Sequence, residues 1–212
     1  MSLVYVRTLS SGARLGLWRI DADADGCLDG CVPGEVAGRV AAMARGRRTE
    51  TAAVYALLRA MTGSACHVIR HEASGKPYVV GLGHIGVSHT LGYASLIMSD
   101  DGAVAVDIEH VSDRVGRIAS RFLRDDEMWA WGSAEAPDII GLLKCWCAKE
   151  TVYKLFSDDR LTFHNMRVDI DADGRLMCEN LLTRQTVVLG CEITPDYVMT
   201  WSESVGDGVS KG

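Results

Sequence analysis

Three short segments hold residues whose types and spacing could do chemistry: Gly75-Lys76-Pro77, then Val104-Ala105-Val106-Asp107-Ile108-Glu109, then Trp146-Cys147-Ala148-Lys149-Glu150 with Lys154 four residues on. Side chains on a strand alternate, so Asp107 and Glu109 at i and i+2 point to one face. An isolated Asp-x-Glu is usually a solvated pair of acids beside a turn. Here the run 103–108 is otherwise apolar and reads as a central strand, where charge has to be paired or metal-bound. Glu150 and Lys154 at i and i+4 share a helix face. Alone, they read as an ordinary surface ion pair. The apolar approach Ile139-Ile140-Gly141-Leu142-Leu143 with Trp146 implies instead a helix buried over much of its surface, which makes charges at 149, 150 and 154 less casual. A hard cation such as Mg²⁺ asks for an octahedron of oxygens, a few from carboxylates and the rest from water and phosphate. Asp107, Glu109 and Glu150 meet that requirement, and with separated lysines they are the parts of a metal-assisted phosphoryl-transfer site.

Two further segments could meet an anion. Pro77 restricts Lys76 to an extended backbone and so presents it rigidly. Ser88-His89-Thr90 follows a strand and precedes Leu91-Gly92, placing a hydroxyl and an imidazole where a phosphate could sit, although a single histidine is more often structural.

Other motifs compete. Asp21-Ala-Asp-Ala-Asp-Gly and Asp169-Ile-Asp-Ala-Asp-Gly both begin like a calcium loop, but position 12 would be Val32 or Asn180 where a bidentate Glu is needed. Both read as structural acidic turns. Cys27-x-x-x-Cys31 and Cys145-x-Cys147 lack partners at zinc spacing and read as simple thiols. Tryptophans usually mean core, while Trp129 and Trp131 beside Gly132-Ser133 could form a docking patch, with Arg117, Arg121 and Arg124 at i, i+4 and i+7 on one helical face.

The elements that must position these residues follow from periodicity. Residues 3–7 and 14–20 read as strands around Ser10-Ser11-Gly12. Val36, Val40 and Met43, then Val54, Leu57, Leu58 and Met61, recur at helical spacing on either side of Arg45-Gly46-Arg47-Arg48, with Gly63 as a helix stop. Strands are expected at 85–87, 93–98 and 103–111, the last after the turn Ser99-Asp100-Asp101-Gly102. Two helices are expected next, from Arg114 to about Trp131 and from Asp138 to about Phe156, the second started by Pro137. The tail 163–203 is strand-like, with Asp171-Ala172-Asp173-Gly174 as a hairpin turn. The order predicts an α+β fold, a pseudo-dimer of two similar halves spanning 1–101 and 102–212.

With 48% hydrophobic residues in 212, the chain can bury a substantial core. A net charge of −6 gives no sign of a general nucleic-acid binder, so an anionic ligand needs a local basic cluster. No apolar stretch has signal-peptide length near the N-terminus or bilayer-spanning length anywhere. The seven cysteines, an odd number, fit reduced thiols in a cytoplasm better than a disulfide framework.

Taken together, Gly75-Lys76-Pro77, Ser88-His89-Thr90, Val106-Asp107-Ile108-Glu109 and Trp146-Cys147-Ala148-Lys149-Glu150 with Lys154 resemble the ordered signature of the 4'-phosphopantetheinyl transferases, of the large, two-half kind that activates surfactin synthetase. Arg121-Phe122-Leu123 with Glu127 resembles the family's lead into its second helix. The likeness runs from about Arg47 to Lys154. It implies two α+β halves with coenzyme A between them, the N-terminal half on the 3'-phosphoadenosine side and the C-terminal half carrying the metal site. It implies that Asp107, Glu109 and Glu150 hold Mg²⁺ against the pyrophosphate, which Lys154 touches with assistance from Lys149. Lys76 with Pro77, Ser88, His89 and one arginine of the 45–48 cluster, with Arg48 preferred, would hold the nucleotide, His89 reaching either the 3'-phosphate end or the pyrophosphate. A serine hydroxyl of an apo acyl or peptidyl carrier protein would attack, 3',5'-ADP would leave, and Glu150, directly or through a water, would be the base, with Lys154 also catalytic.

Cys147 and Thr151 depart mildly from the family pattern, and no lysine precedes Arg39, where basic residues commonly grip the nucleotide. The alternative is a non-catalytic module that binds coenzyme A or a carrier protein; a complete metal-and-lysine set favours the enzyme. The resemblance implies a cytoplasmic monomer with no nucleic-acid or membrane partner.

Overall fold

The computed structural model describes residues 2–21, 30–132, 138–157 and 160–202. Two antiparallel sheets form the centre. The first comprises β1 (Ser2–Thr8), β2 (Arg14–Arg19), β3 (Ile69–His71), β4 (Pro77–Val79), β5 (His84–Thr90) and β6 (Tyr93–Ser99), in the order β1-β2-β6-β5-β4-β3. The second comprises β7 (Val106–His110), β8 (Met166–Ile170), β9 (Leu176–Asn180), β10 (Gln185–Ile193) and β11 (Tyr197–Ser202), in the order β7-β11-β10-β9-β8. The helices are α1 (Gly34–Ala41), α2 (Arg45–Thr62), α3 (Arg114–Ile118), α4 (Met128–Trp131) and α5 (Ile139–Phe156).

Strand alternation sorts the side chains into layers. Leu15, Leu17, Ile97, Val106, Ile108, Met199 and Trp201 meet in one buried cluster, so the two sheets pack face to face. On the outer face of the first sheet Ala94, Leu96 and Met98 pack with Leu57, Leu58 and Met61 of α2. On the outer face of the second sheet Val187, Leu189 and Val198 pack with Leu142, Cys145 and Val152 of α5. The order is helix, sheet, sheet, helix. Each sheet is therefore buried on both faces at its centre, which is why its strands are nearly continuous in apolar residues. Gly86 on β5 permits a close approach, since a Cβ there would lie 2.9 Å from the Cα of Ala105.

Most expected elements are present, with instructive departures. Gly63, at φ 74°, ends α2 with its N–H on the Arg59 carbonyl. Asp138 caps α5 by accepting from the N–H of Gly141 at 3.0 Å. The expected helix from Arg114 to Trp131 is broken: α3 stops at Ile118, short 3-10 turns cover Ala119–Arg121 and Asp125–Glu127, and α4 begins at Met128. The break turns Glu127 inward, where its carboxylate accepts from the backbone of Arg124 at 2.9 Å and of Val168 at 2.7 Å. Arg117, Arg121 and Arg124 consequently do not form one helical face. The strand expected at 103–111 is shorter, and β7 is an edge strand paired with β11 alone. Its open edge is covered by hydroxyls of β5: Thr90 accepts from the N–H of His110 at 2.9 Å and Ser88 from that of Ile108 at 3.3 Å.

Asp171 closes the β8–β9 hairpin by accepting from the N–H groups of Asp173 and Arg175, while the Arg175 guanidinium pairs with Asp171 at 2.9 Å. An arginine thus supplies the cation, and this turn is structural. Residues 22–26 of the other acidic turn, with Cys27, Ser133 and Pro137, lie outside the described residues. No helix among the described residues is long and apolar enough to cross a membrane.

Candidate active site

β7 sends Val106 and Ile108 between the sheets, so Asp107 and Glu109 necessarily face α5. There Glu150 and Lys154 come from successive turns of that helix. Lys154 Nζ lies 2.7 Å from Asp107 Oδ1, and Trp146 Nε1 donates to Glu109 Oε1 at 3.1 Å. Burial would pull the Lys154 ammonium down, but the Asp107 carboxylate outweighs it and holds the group above the ordinary lysine value. Burial, then the charge of Asp107, pushes Glu109 up. Burial followed by the charges of Asp107 and Glu109 pushes Glu150 up to about 7, against an opposing pull from Lys154.

These residues border a cavity of about 730 Å³. Its lining includes Asp107, Glu109, Glu150, Tyr153 and Lys154, together with Arg39 and Arg47, Lys76 of the β3–β4 turn, Pro77 at the start of β4, and Ser88 and His89 on β5. Gly75, at φ 85°, lets that turn close, with the Glu72 N–H on the Lys76 carbonyl at 2.9 Å. His89 Nδ1 lies 3.3 Å from Glu50, and burial leads the effects that lower its pKa. A neutral imidazole is therefore favoured.

The fit to a divalent cation can be judged from donor atoms. Asp107 Oδ2 is buried without a hydrogen-bond partner, while Oδ1 is already taken by Lys154 and Ser88. Two neighbouring carboxylates are pushed up, the expected state of acids that lack enough positive charge. Among the described residues no three His, Cys, Asp or Glu side chains form a group able to hold a metal ion by themselves. The unpartnered Asp107 Oδ2 is the one feature here that fits a hard cation, which prefers oxygen ligands.

Two expected residues are displaced from this site. Lys149 is sealed on the far side of α5, where its ammonium donates to the Glu127 carboxylate and to the carbonyls of Phe122, at 2.7 Å, and Phe163, at 3.1 Å. Successive helical residues diverge by about 100°, so Lys149 and Glu150 serve different faces. Arg47, rather than Arg48, lines the cavity. It leads the stripe Arg47, Thr51, Val54 and Tyr55 at i, i+4, i+7 and i+8, the signal that singles it out. Arg39 and Tyr153 are lining residues that sequence reasoning did not assign. Cys147 and Thr151 are absorbed by packing, Thr151 bonding the Thr200 hydroxyl at 2.7 Å.

A helix carrying an acid and a lysine against an acidic strand, beside a basic rim, is the arrangement the resemblance describes, and an independent comparison bears on it. Residues 103–201 match the family model of the 4'-phosphopantetheinyl transferase superfamily. The matched domain contains β7, α5 and the second sheet, hence Asp107, Glu109, Glu150 and Lys154, and it supports phosphopantetheine transfer in general as the activity. No curated protein matches the chain. Lys76, His89, Arg39 and Arg47 lie outside the matched domain but border the same cavity.

Proposed function

We propose that this protein transfers the 4'-phosphopantetheine group of coenzyme A to a serine of an apo acyl or peptidyl carrier protein, in a Mg²⁺-dependent reaction that releases 3',5'-ADP. The observation that carries the reading is one cavity lined both by the acids of β7 and α5 and by Arg39, Arg47 and Lys76. Such a cavity suits a ligand with phosphates at two places, one near the reacting bond and one remote. The large, two-half type is supported by a first sheet and helix that precede the matched domain and supply those basic residues. The six described cysteines carry free thiols, in keeping with a reducing cytoplasm.

Asp107, Glu109 and Glu150 would hold Mg²⁺, which when bound neutralises charge developing on the pyrophosphate oxygens. Lys154 would place its ammonium on the same oxygens. Arg39, Arg47, Lys76 and His89 would hold the remote phosphate and adenosine. The carrier serine oxygen forms a bond to the phosphorus bearing pantetheine, and the bond from that phosphorus to the bridging oxygen breaks. Glu150 would take the serine proton, directly or through a water.

The test is the mass of a panel of apo-carrier proteins incubated with this protein, coenzyme A and Mg²⁺. Gain of one phosphopantetheine on the carrier serine is expected. Unmodified carriers alongside tight coenzyme A binding would instead indicate a binding module.

A further inference from the structure

Ser88 stands on β5 with its residue only 7% exposed, and its hydroxyl is fully committed within the protein. It donates to Asp107 Oδ1 at 3.0 Å, and accepts from Lys154 Nζ at 3.1 Å and from the Ile108 N–H at 3.3 Å. Its own carbonyl accepts from the Ser95 hydroxyl at 3.2 Å, which steadies this point of β5 from the neighbouring strand β6. A hydroxyl has one proton and two lone pairs, and all three are in use. Nothing remains with which to hold a substrate phosphate.

We propose that Ser88 is a positioning residue for the Asp107 carboxylate rather than a ligand of the nucleotide. The terminal torsion of an aspartate is broad and roughly two-fold, so either oxygen could face the cavity. The pair of bonds from Ser88 and Lys154 secures Oδ1, which leaves Oδ2 as the buried oxygen without a partner. Ser88 thereby fixes the orientation in which the Asp107 carboxylate is held. It also joins three elements, since β5, β7 and α5 all meet at its oxygen. The first sheet thus contributes to a metal site whose acids all belong to the second half.

This inference rests on the transferase reading, and two binding measurements separate the two. Mn²⁺ affinity is measured by electron paramagnetic resonance with the full chain saturated in coenzyme A. Coenzyme A affinity is measured by calorimetry in EDTA. Ser88→Ala is expected to weaken Mn²⁺ about tenfold, the usual effect of losing a partner behind a metal ligand, with coenzyme A affinity within about twofold of wild type. Ser88→Thr, which restores the hydroxyl, is expected to recover Mn²⁺ affinity. If circular dichroism shows Ser88→Ala unfolded, Ser88→Cys takes its place, because a thiol of similar size is a weak donor and is expected to weaken Mn²⁺ in the same direction. A variant with about tenfold weaker coenzyme A and unchanged Mn²⁺ makes Ser88 a nucleotide ligand and overturns the proposal. Unchanged affinity for both overturns it as well. Wild-type protein that binds no Mn²⁺ removes the metal reading and the inference together, whereas wild-type protein that binds Mn²⁺ no better than Ser88→Ala removes the inference alone.

Discussion

Lys149 and Glu127 form an ion pair in which the two side chains are 0% and 2% exposed. The glutamate also accepts from the backbone of Arg124 and Val168, and the lysine donates to the carbonyls of Phe122 and Phe163, so the charges and their spare hydrogen-bonding capacity are met. The pair ties the side of α5 that carries Cys145 and Val152 to the broken segment before α4 and to β8. The cavity side of α5, with Glu150 and Lys154, is held in place from behind.

Removing one partner should therefore be costly. Lys149→Met and Glu127→Leu are each expected to lose about 3–5 kcal/mol in urea unfolding, because the remaining charge stays buried and alone. The double variant is expected to lose less than the sum. Additive losses would show that the two charges do not depend on each other.

Asp107 repels Glu109 and Glu150 but also pairs with Lys154, so its removal does more than relieve repulsion. Because it neutralises Lys154, Asp107→Ala strands an ammonium and is expected to lower the melting temperature even in EDTA, as well as removing most activity. A raised melting temperature in EDTA would restore the repulsion account.

Glu150 carries the unrelieved repulsion. Its folded pKa of about 7 lies above the ordinary 4.5, so the folded protein binds more protons than the unfolded chain between those values. The stabilisation by neutral Glu150 is complete below about 4.5 and is lost as pH rises through about 7. In EDTA, wild type should lose roughly 2 kcal/mol relative to Glu150→Gln between pH 5 and pH 8.5, allowing for the part of the side chain still in water. Parallel pH profiles for the two proteins would refute this, and denaturant melts at the two pH values decide it.

The nucleotide side divides by kinetics. Arg47→Ala, Lys76→Ala and His89→Ala are expected to raise the KM for coenzyme A about tenfold with kcat little changed, and Glu150→Gln to lower kcat. Arg48→Ala should affect that KM less than Arg47→Ala does. A larger effect at Arg48 would return the contact to it.

The carrier side rests on Trp129, which is 97% exposed, whereas Trp131 is buried with its indole N–H on the Val168 carbonyl. Trp129→Ala and Arg121→Glu are expected to raise the KM for carrier about fivefold, on the order of 1 kcal/mol, and to leave the KM for coenzyme A unchanged. Arg124 is a poor probe, since it already pairs with Asp126 and donates to the His164 carbonyl. Unchanged carrier kinetics in both variants would place docking elsewhere.

The sequence by itself determined β1, β2, β5 and β6, the helices α2 and α5 and the shared face of Asp107 and Glu109, because a period of 2 or 3.6 is written locally and needs no partner to be read. It also determined that Glu150 and Lys154 share one helix face. Tertiary structure decided which face of each element is inside. Lys149 and Glu150 are adjacent in the chain, and only the packing of α5 on the second sheet sends one to Glu127 and the other to the cavity. The same holds for Arg47 and Arg48 on α2. The break between α3 and α4 was hidden because the bonds that stabilise it, from Glu127 to Lys149 and to the backbone of Val168, join residues 22 and 41 positions apart in the chain. The use of Ser88 was hidden for the same reason: a hydroxyl has no directional signature in a sequence, and its three partners arrive from β7 and α5 only when the two sheets pack face to face.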